Sequence, residues 1–323
     1  MSAESKIQVP TISLDRDPAI VGREFDETLR EVGFFQIVDH GIDQSVADRC
    51  WNSAREFFDL PLEEKLSVRR PESGLFGYFP MKTESLAASR GDVVPSDLKE
   101  SFNMGPGPYP GHSPIDEDEA AALAEVHWPA ALPSMKAAWG GYFAEAAKLS
   151  RRLMSMFALG LGLPDNYFDE KVNLSPSALR AINYPEQDSP PEKDQLRAGA
   201  HTDYGILTIL RQELGQAGLQ VFDSKSDDWV DIAPVDGALV INIGDLMARW
   251  TNDRWTSTLH RVANPDAGKS GSSRRQSMPF FFNANYSAVV ECLPSVLAAG
   301  EKPKYEPVLA GPHLSGKSGK AVM

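Results

Sequence analysis

The chain has 323 residues, 42% of them apolar, and a formal net charge of −13. That length allows one large domain or two closely joined ones, and so acidic a chain argues against nucleic acid or an anionic membrane as a partner. No apolar run approaches the roughly 18 residues of a membrane span. The opening MSAESKIQVPTISL lacks the basic-then-apolar pattern of a secretory leader. Cys50 and Cys292 show no CxxC or Cys/His spacing, so they read as ordinary buried thiols in a reducing cytoplasm. The expectation is a cytoplasmic globular protein with no nucleic acid, membrane or obligate protein partner.

Residues 7–14 (IQVPTISL) read as a short strand, and residues 19–31 as a helix with Ile20, Phe25 and Leu29 on one side. Residues 33–38 (GFFQIV) are strand-like and run into the turn Asp39-His40-Gly41. Residues 44–58 are again helical, with Val46, Cys50, Trp51 and Phe57 on the apolar face. The stretch 71–114 is rich in Gly, Pro and Ser and reads as a long irregular connection, of a kind more often functional than idle. Together, residues 1–115 form a mixed α/β region. Helical signal fills residues 117–161 within a segment 116–175, broken at Pro129 and Pro133, and the piece 134–161 is long enough to serve as a backbone helix. From 176 to 310 short strand-like runs follow one another: ALRAINY, GILTIL, GLQVF, GALVINIG, STLHRVA and MPFFFNA. Many short strands with turn residues between them indicate a sandwich or barrel. Residues 311–323 (GPHLSGKSGKAVM) read as a small, polar, mobile tail.

Of the six histidines, His201 stands out because Asp203 is its i+2 neighbour at the head of an apolar run, LRAGAHTDYGILTIL. On a strand, residues i and i+2 share a face. A second histidine, His260, sits inside another strand-like run. Two imidazoles and one carboxylate on one side of an ion make the facial triad of non-haem iron(II) oxygenases, with the opposite positions open to water, oxygen and a co-substrate. HxD by itself is a weak motif, and a simple hydrogen bond between His201 and Asp203 explains it equally well. Arg275 and Ser277 form a second pair on one strand face, just before an aromatic run. A guanidinium beside a hydroxyl suits a carboxylate; taken alone, an internal ion pair with a protein acid is the simpler explanation. His40, His112, His127 and His313 have no partner spacing and read as structural or surface residues.

With these residues in hand, the chain resembles the iron(II)/2-oxoglutarate-dependent dioxygenases of the isopenicillin N synthase-like superfamily, over roughly residues 9–305. The N-terminal signature is GFFQIVDHGI, followed by FGYFP and DLKESFNMG. The C-terminal half carries INYP, HTDYGILTIL, GLQV, INIGD, WTNDRWTSTLHRV and RQSMPFFF in order. LRAGAHTDYG and GDLMARWTND also resemble the pyrimidine 7-hydroxylase branch. The resemblance implies a mainly β fold with flanking helices around a double-stranded β-helix, or jelly-roll, core at 176–310. It implies His201, Asp203 and His260 as Fe(II) ligands, and Arg275 and Ser277, with Tyr184, as contacts of the co-substrate 2-oxoglutarate, with O2 as oxidant. Phe281 and the 71–114 segment are candidate cavity walls. Arg180 and Arg197 could meet an anionic substrate, although exposed salt-bridge residues need no such explanation. Two departures from the family pattern occur: Asp253 stands where many relatives carry Gly, and Ile182 stands where many plant relatives carry Asn, removing a polar contact near the metal.

The expected activity is oxidation of a small molecule by hydroxylation, desaturation or ring closure, with release of succinate and CO2. The alternative is an isopenicillin N synthase-like iron oxidase that does not use 2-oxoglutarate. A non-enzymatic binding protein is disfavoured because all five residues of the triad and the Arg-Ser pair are intact. A zinc hydrolase would need a general base, and no HExxH-like helix motif is present.

Overall fold

Capping and periodicity explain where the helices begin and which face they bury. The computed structural model describes residues 7–72, 74–187, 189–265 and 272–318. Helix α1 (Pro18–Glu31) starts where the Asp17 carboxylate accepts from Ala19 N at 2.8 Å, with Pro at the first helical position, where a missing N–H costs nothing. It buries Val21, Phe25 and Leu29. Helix α2 (Gln44–Asp59) is capped in the same way by Asp43. Then come α3 (Leu62–Leu66), α4 (Glu117–Ala122), α5 (Met135–Gly160), α6 (Asp169–Val172), α7 (Asp245–Trp250) and α8 (Ala310–Ser318). The long helix α5 begins two residues after Pro133, as the breaker residues lead one to expect.

The strands are β1 (Thr11–Ser13), β2 (Phe34–Val38), β3 (Gly77–Phe79), β4 (Glu100–Met104), β5 (Ala178–Tyr184), β6 (Ala198–His201) and β7 (Leu207–Gln212). They continue as β8 (Leu219–Asp223), β9 (Asp228–Asp231), β10 (Leu239–Ile243), β11 (His260–Val262), β12 (Arg275–Phe282), β13 (Val289–Val290) and β14 (Val308–Leu309). An eight-stranded sheet runs β1-β2-β10-β7-β12-β5-β4-β3, and a four-stranded sheet runs β6-β11-β8-β9. Phe34 and Val240 of the large sheet pack with Leu219 and Val221 of the small one, so the sheets face each other as the two walls of a jelly roll.

The outer face of the large sheet is covered by α1, α2 and α5. Phe25 stacks on Phe35 at 4.5 Å between ring centroids, and Phe143 meets Phe280 edge-on at 5.0 Å. Helices α1 and α5 touch through glycines: a Cβ on Gly22 would lie 2.5 Å from the Met156 carbonyl oxygen, and one on Gly160 would lie 2.2 Å from that of Gly22. Alternation along β5 then sorts its side chains. Leu179 and Ala181 enter the helix-side core, while Arg180, Ile182 and Tyr184 share the other face, where Ile182 and Tyr184 pack with Ala198 and Val262 of the small sheet.

The structure departs from the sequence expectations in three places. The 71–114 connection is not wholly irregular: it supplies β3, β4 and a 3-10 turn at Leu86–Arg90, so the first 115 residues contribute four strands to the large sheet. Strand β9 has little apolar content because it forms the outer edge of the small sheet. Of the expected mobile tail, residues 311–318 belong to α8, whose first residue is fully buried; the last five residues lie outside the described set. Polar composition hid this helix because few of its side chains need burial.

Candidate metal centre and co-substrate pocket

Three elements deliver the triad. His201 is the last residue of β6 and His260 the first of β11; they are direct partners across the small sheet, with ring centroids 4.3 Å apart. Asp203 is not on a strand. The chain leaves the sheet at Thr202, and Asp203 sits in the turn leading to β7, so pleat alternation does not account for its aim. Hydrogen bonds do. Its Oδ2 accepts from Thr208 Oγ1 at 2.6 Å and from Asn242 Nδ2 at 2.7 Å, leaving Oδ1 turned toward His260 Nε2 at 3.8 Å. The Asp203 carbonyl also accepts from Asp245 N at 2.8 Å, tying the turn to the start of α7. Space there is tight, since a Cβ on Gly244 would lie 2.4 Å from the Gly205 carbonyl oxygen.

The ligand atoms of His201, Asp203 and His260 all lie within 4.8 Å of one another. Each imidazole places Nδ1 against a backbone carbonyl, His201 on Gly199 O at 2.7 Å and His260 on Thr258 O at 3.0 Å. A carbonyl only accepts, so Nδ1 carries the proton and Nε2 keeps its lone pair toward the centre. Burial and the neighbouring His260 push His201 down to about 3. Burial alone would raise the Asp203 carboxyl, but the two imidazoles and its two donors outweigh that and hold it below the usual carboxylate range. The site therefore offers two imidazole nitrogens and one carboxylate oxygen, a donor set suited to a divalent metal with positions left open.

Arg275, Ser277 and Tyr184 come together on the opposite wall. Arg275 and Ser277 lie on one face of β12, Tyr184 is Arg275's cross-strand partner on β5, and its ring lies 5.2 Å from the guanidinium carbon. Arg275 is 1% exposed. Its Nη2 donates to Gln212 Oε1 at 3.1 Å, but Nε and Nη1 have no hydrogen-bond partner and no carboxylate pairs with it among the described residues. The internal ion pair that would have explained Arg275 is thus absent. A buried guanidinium with two free N–H edges is costly unless an anion completes it.

The other sequence candidates fall into place. Arg180 makes the salt bridge expected of it but a largely buried one, and Arg197 is neither exposed nor paired with a carboxylate among the described residues. Arg197 is buried, with Nη2 donating to the carbonyls of Ser273 and Pro185, and Arg180 forms its ion pair with Glu84, beside Ser101, largely shielded from solvent. His40 Nδ1 accepts from Ile42 N at 3.1 Å and is structural. His112 does have a partner, Glu119, at 3.0 Å. Asp253 (φ 60°) keeps the left-handed backbone that Gly would take, and its carboxylate accepts from the Tyr305 hydroxyl at 2.8 Å. Ile182 packs against the Tyr184, Ala198 and Val262 cluster, so an apolar wall replaces the missing polar contact. Sequence reasoning missed Thr208, Asn242 and Gln212; a polar residue inside an otherwise apolar strand was their signal. A separate cleft of about 420 Å³ lies by α7 and α8 and holds none of the triad.

Comparisons with known proteins agree with this geometry. Residues 176–284 match the family model of the 2OG-Fe(II) oxygenase superfamily, and residues 9–131 match that of the non-haem dioxygenase in morphine synthesis N-terminal region. A 2-oxoglutarate-Fe(II) type oxidoreductase from Emericella nidulans is 36% identical over 85% of this chain and 77% of its own length. The chain belongs to the 2OG-Fe(II) oxygenase superfamily. Within this superfamily, a homoarginine-6-hydroxylase from Oryza sativa is 32% identical over 97% of this chain and 92% of its own. The crystal structure of a full-length Neurospora crassa protein in complex with alpha-KG and thymine superposes with a TM-score of 0.82, at 30% identity, covering 96% of each chain. The protein is therefore an iron(II)- and 2-oxoglutarate-dependent dioxygenase using O2, with the jelly-roll fold of that family. These relatives favour the oxoglutarate user over the oxidase alternative. No described helix is long and apolar enough to cross a membrane.

Proposed function

We propose that His201, Asp203 and His260 hold the iron, that Arg275, Ser277 and Tyr184 hold the far carboxylate of 2-oxoglutarate, and that the enzyme oxidises a small polar molecule in the cytoplasm. The observation that carries this reading is the buried Arg275, whose Nε and Nη1 lack partners and whose neighbour Tyr184 packs against Ala198 and Val262 of the strands that carry His201 and His260. A terminal carboxylate would supply the acceptors that the protein withholds. The thymine bound by the Neurospora crassa protein and the homoarginine in the name of the rice relative support a small, nitrogen-bearing substrate.

When bound, iron and 2-oxoglutarate supply the oxidation: O2 is consumed as 2-oxoglutarate becomes succinate and CO2, leaving one oxygen equivalent for a substrate C–H bond. The chain's own residues prepare that event. Gly199 and Thr258 carbonyls fix the imidazole tautomers, and Thr208 and Asn242 hold the Asp203 carboxylate in one rotamer. Phe34 packs edge-on against His260 at 5.2 Å and helps keep water from that side of the centre. Hydroxylation, desaturation and ring closure are all open to such a centre.

The test is an anaerobic titration of the iron(II)-loaded protein with 2-oxoglutarate, following the visible charge-transfer band of the chelate. A saturating band that Arg275→Met moves to much higher 2-oxoglutarate supports the assignment. Iron binding with no band would return Arg275 and Ser277 to the substrate, and iron binding that survives His201→Ala would remove the triad.

A further inference from the structure

The cleft between α7 and α8 is a second place where the chain leaves polar atoms unanswered. Arg249 on α7, Ser257 on the segment leading into β11, and His313 on α8 all line it. Arg249 Nε, Ser257 Oγ and His313 Nε2 are each buried, and none has a hydrogen-bond partner. Three such atoms, from three separate segments, therefore belong to the walls of one opening of about 420 Å³. Buried polar atoms without partners are costly, and a folded chain keeps few of them. The cleft stands apart from the reaction centre, since none of His201, Asp203, His260, Arg275, Ser277 and Tyr184 lines it. It adjoins the metal turn through Asp245, which lines it and donates its N–H to the Asp203 carbonyl at 2.8 Å.

Charge restricts what the cleft can hold. Lys317 pairs with Asp245, and the Asp253 carboxylate is taken by Lys304 at 3.3 Å and by the Tyr305 hydroxyl at 2.8 Å. His313 adds no charge at neutral pH: burial, with Lys317 and Arg249 beside it, holds its imidazole below the ordinary value, against the pull of Asp245. Arg249 is left over. Its Nη2 donates to the Glu306 carbonyl at 2.8 Å and its guanidinium carbon lies 4.5 Å from the Tyr305 ring centroid. No carboxylate lies within ion-pair distance of it among the described residues. One cation without a counterion calls for one negative charge. A phosphate dianion would bring a second charge toward Asp245 and Asp253. A single carboxylate instead matches the guanidinium in both charge and planar shape. Ala248, Trp255 and Tyr305 supply apolar lining for the rest of such a ligand.

We propose that the cleft between α7 and α8 is a second ligand site, distinct from the reaction centre, and that it takes a small organic acid with one carboxylate and a flat apolar body. Arg249 Nε and Ser257 Oγ donate to the carboxylate, and the Nε2–H tautomer of His313 gives it a third hydrogen bond. The apolar body lies beside Ala248 and Tyr305. The three polar atoms are covered by their neighbours, and a side-chain rotation of the kind common at binding sites turns them to the ligand. This site stands on the cleft itself and does not depend on the roles assigned to the triad or to Arg275.

The test uses the full chain loaded anaerobically with iron(II) and excess 2-oxoglutarate, so that the pocket at Arg275 is not open to the added acid. Benzoate, as the monocarboxylate, and inorganic phosphate are each titrated by calorimetry. Crystals soaked in 4-bromobenzoate locate the ligand by the anomalous signal of its bromine. Benzoate is expected to bind at millimolar concentration or below, more tightly than phosphate, with the bromine between α7 and α8. Arg249→Met should weaken it by about tenfold or more, and Ser257→Ala by about threefold. Arg249 also holds the Glu306 carbonyl, so if Arg249→Met fails to fold, Ser257→Ala carries the test. Benzoate affinity left unchanged by the folded Arg249→Met variant, or by Ser257→Ala where only that variant folds, overturns the proposal. So does tighter binding of phosphate, a bromine signal elsewhere, or no benzoate binding at millimolar concentration.

Discussion

Replacing Asn242 with Ala removes one of two donors to the Asp203 carboxylate without touching a ligand atom. The lost bond is 2.7 Å long and charge-assisted, and both of its residues are buried. Hydrogen bonds to charged groups contribute about 1.5–3 kcal/mol, and removing a partner of a metal ligand costs about 10–100-fold in metal affinity. The two scales agree, since tenfold corresponds to about 1.4 kcal/mol. Thr208 still donates at 2.6 Å, so Asn242→Ala should fall near tenfold, Thr208→Val similarly, and the double variant nearer a hundredfold. Their effects will not simply add, because both donors serve the same oxygen. The assay is anaerobic iron(II) titration of the folded variants, with circular dichroism to confirm the fold. If both single variants bind iron within twofold of the unmutated protein, the turn backbone alone orients Asp203, and the reasoning fails.

Arg275→Met should raise the 2-oxoglutarate concentration for half-maximal binding at least about tenfold while iron affinity stays the same, as measured by the charge-transfer titration. Gly22→Ala would drive a Cβ to 2.5 Å from the Met156 carbonyl oxygen, a backbone atom that cannot swing aside; it should cost about 1–3 kcal/mol, seen as a lower Tm. Asp26 is held below the usual carboxylate range: burial would raise it, but donors from Arg254, Trp255 and Arg30 outweigh that. A lowered carboxyl contributes stability above its unfolded value of about 3.9 and loses it as pH falls through the lower folded value. Asp26→Asn should therefore destabilise the protein at neutral pH, and the gap from the unmutated protein should close below about pH 4 in denaturant melts.

Much of this was legible in the sequence for physical reasons. Capped, periodic segments such as α1 and α2 announce themselves, and β5 was bounded to the residue because ALRAINY alternates between a helix-side core and a cavity. The triad was visible as residue types and order. Its geometry was not, since Asp203 owes its aim to Thr208, which only the turn into β7 brings back onto it, and to Asn242, distant in sequence and its neighbour only when β7 and β10 pair. Strands β3 and β4 were hidden within a stretch rich in Gly, Pro and Ser, whose composition says loop even where a few residues join a sheet edge. The neutralisation of Arg180 was equally hidden, because Glu84 reaches it only through the loop that crosses β6.

The two halves of the proposed reaction centre are mounted on different walls of the sandwich. His201 and His260 ride on the small sheet, whereas Arg275, Ser277 and Tyr184 ride on the large one. On that assignment neither wall holds a complete centre, and the gap between them would act as a gauge for a ligand that reaches from the metal to the guanidinium. Substitutions in the Phe34, Leu219, Val221 and Val240 cluster that joins the walls are then expected to alter which chain length of 2-oxo diacid binds, as read by the charge-transfer titration. Co-substrate selectivity would in that sense be a property of the hydrophobic core.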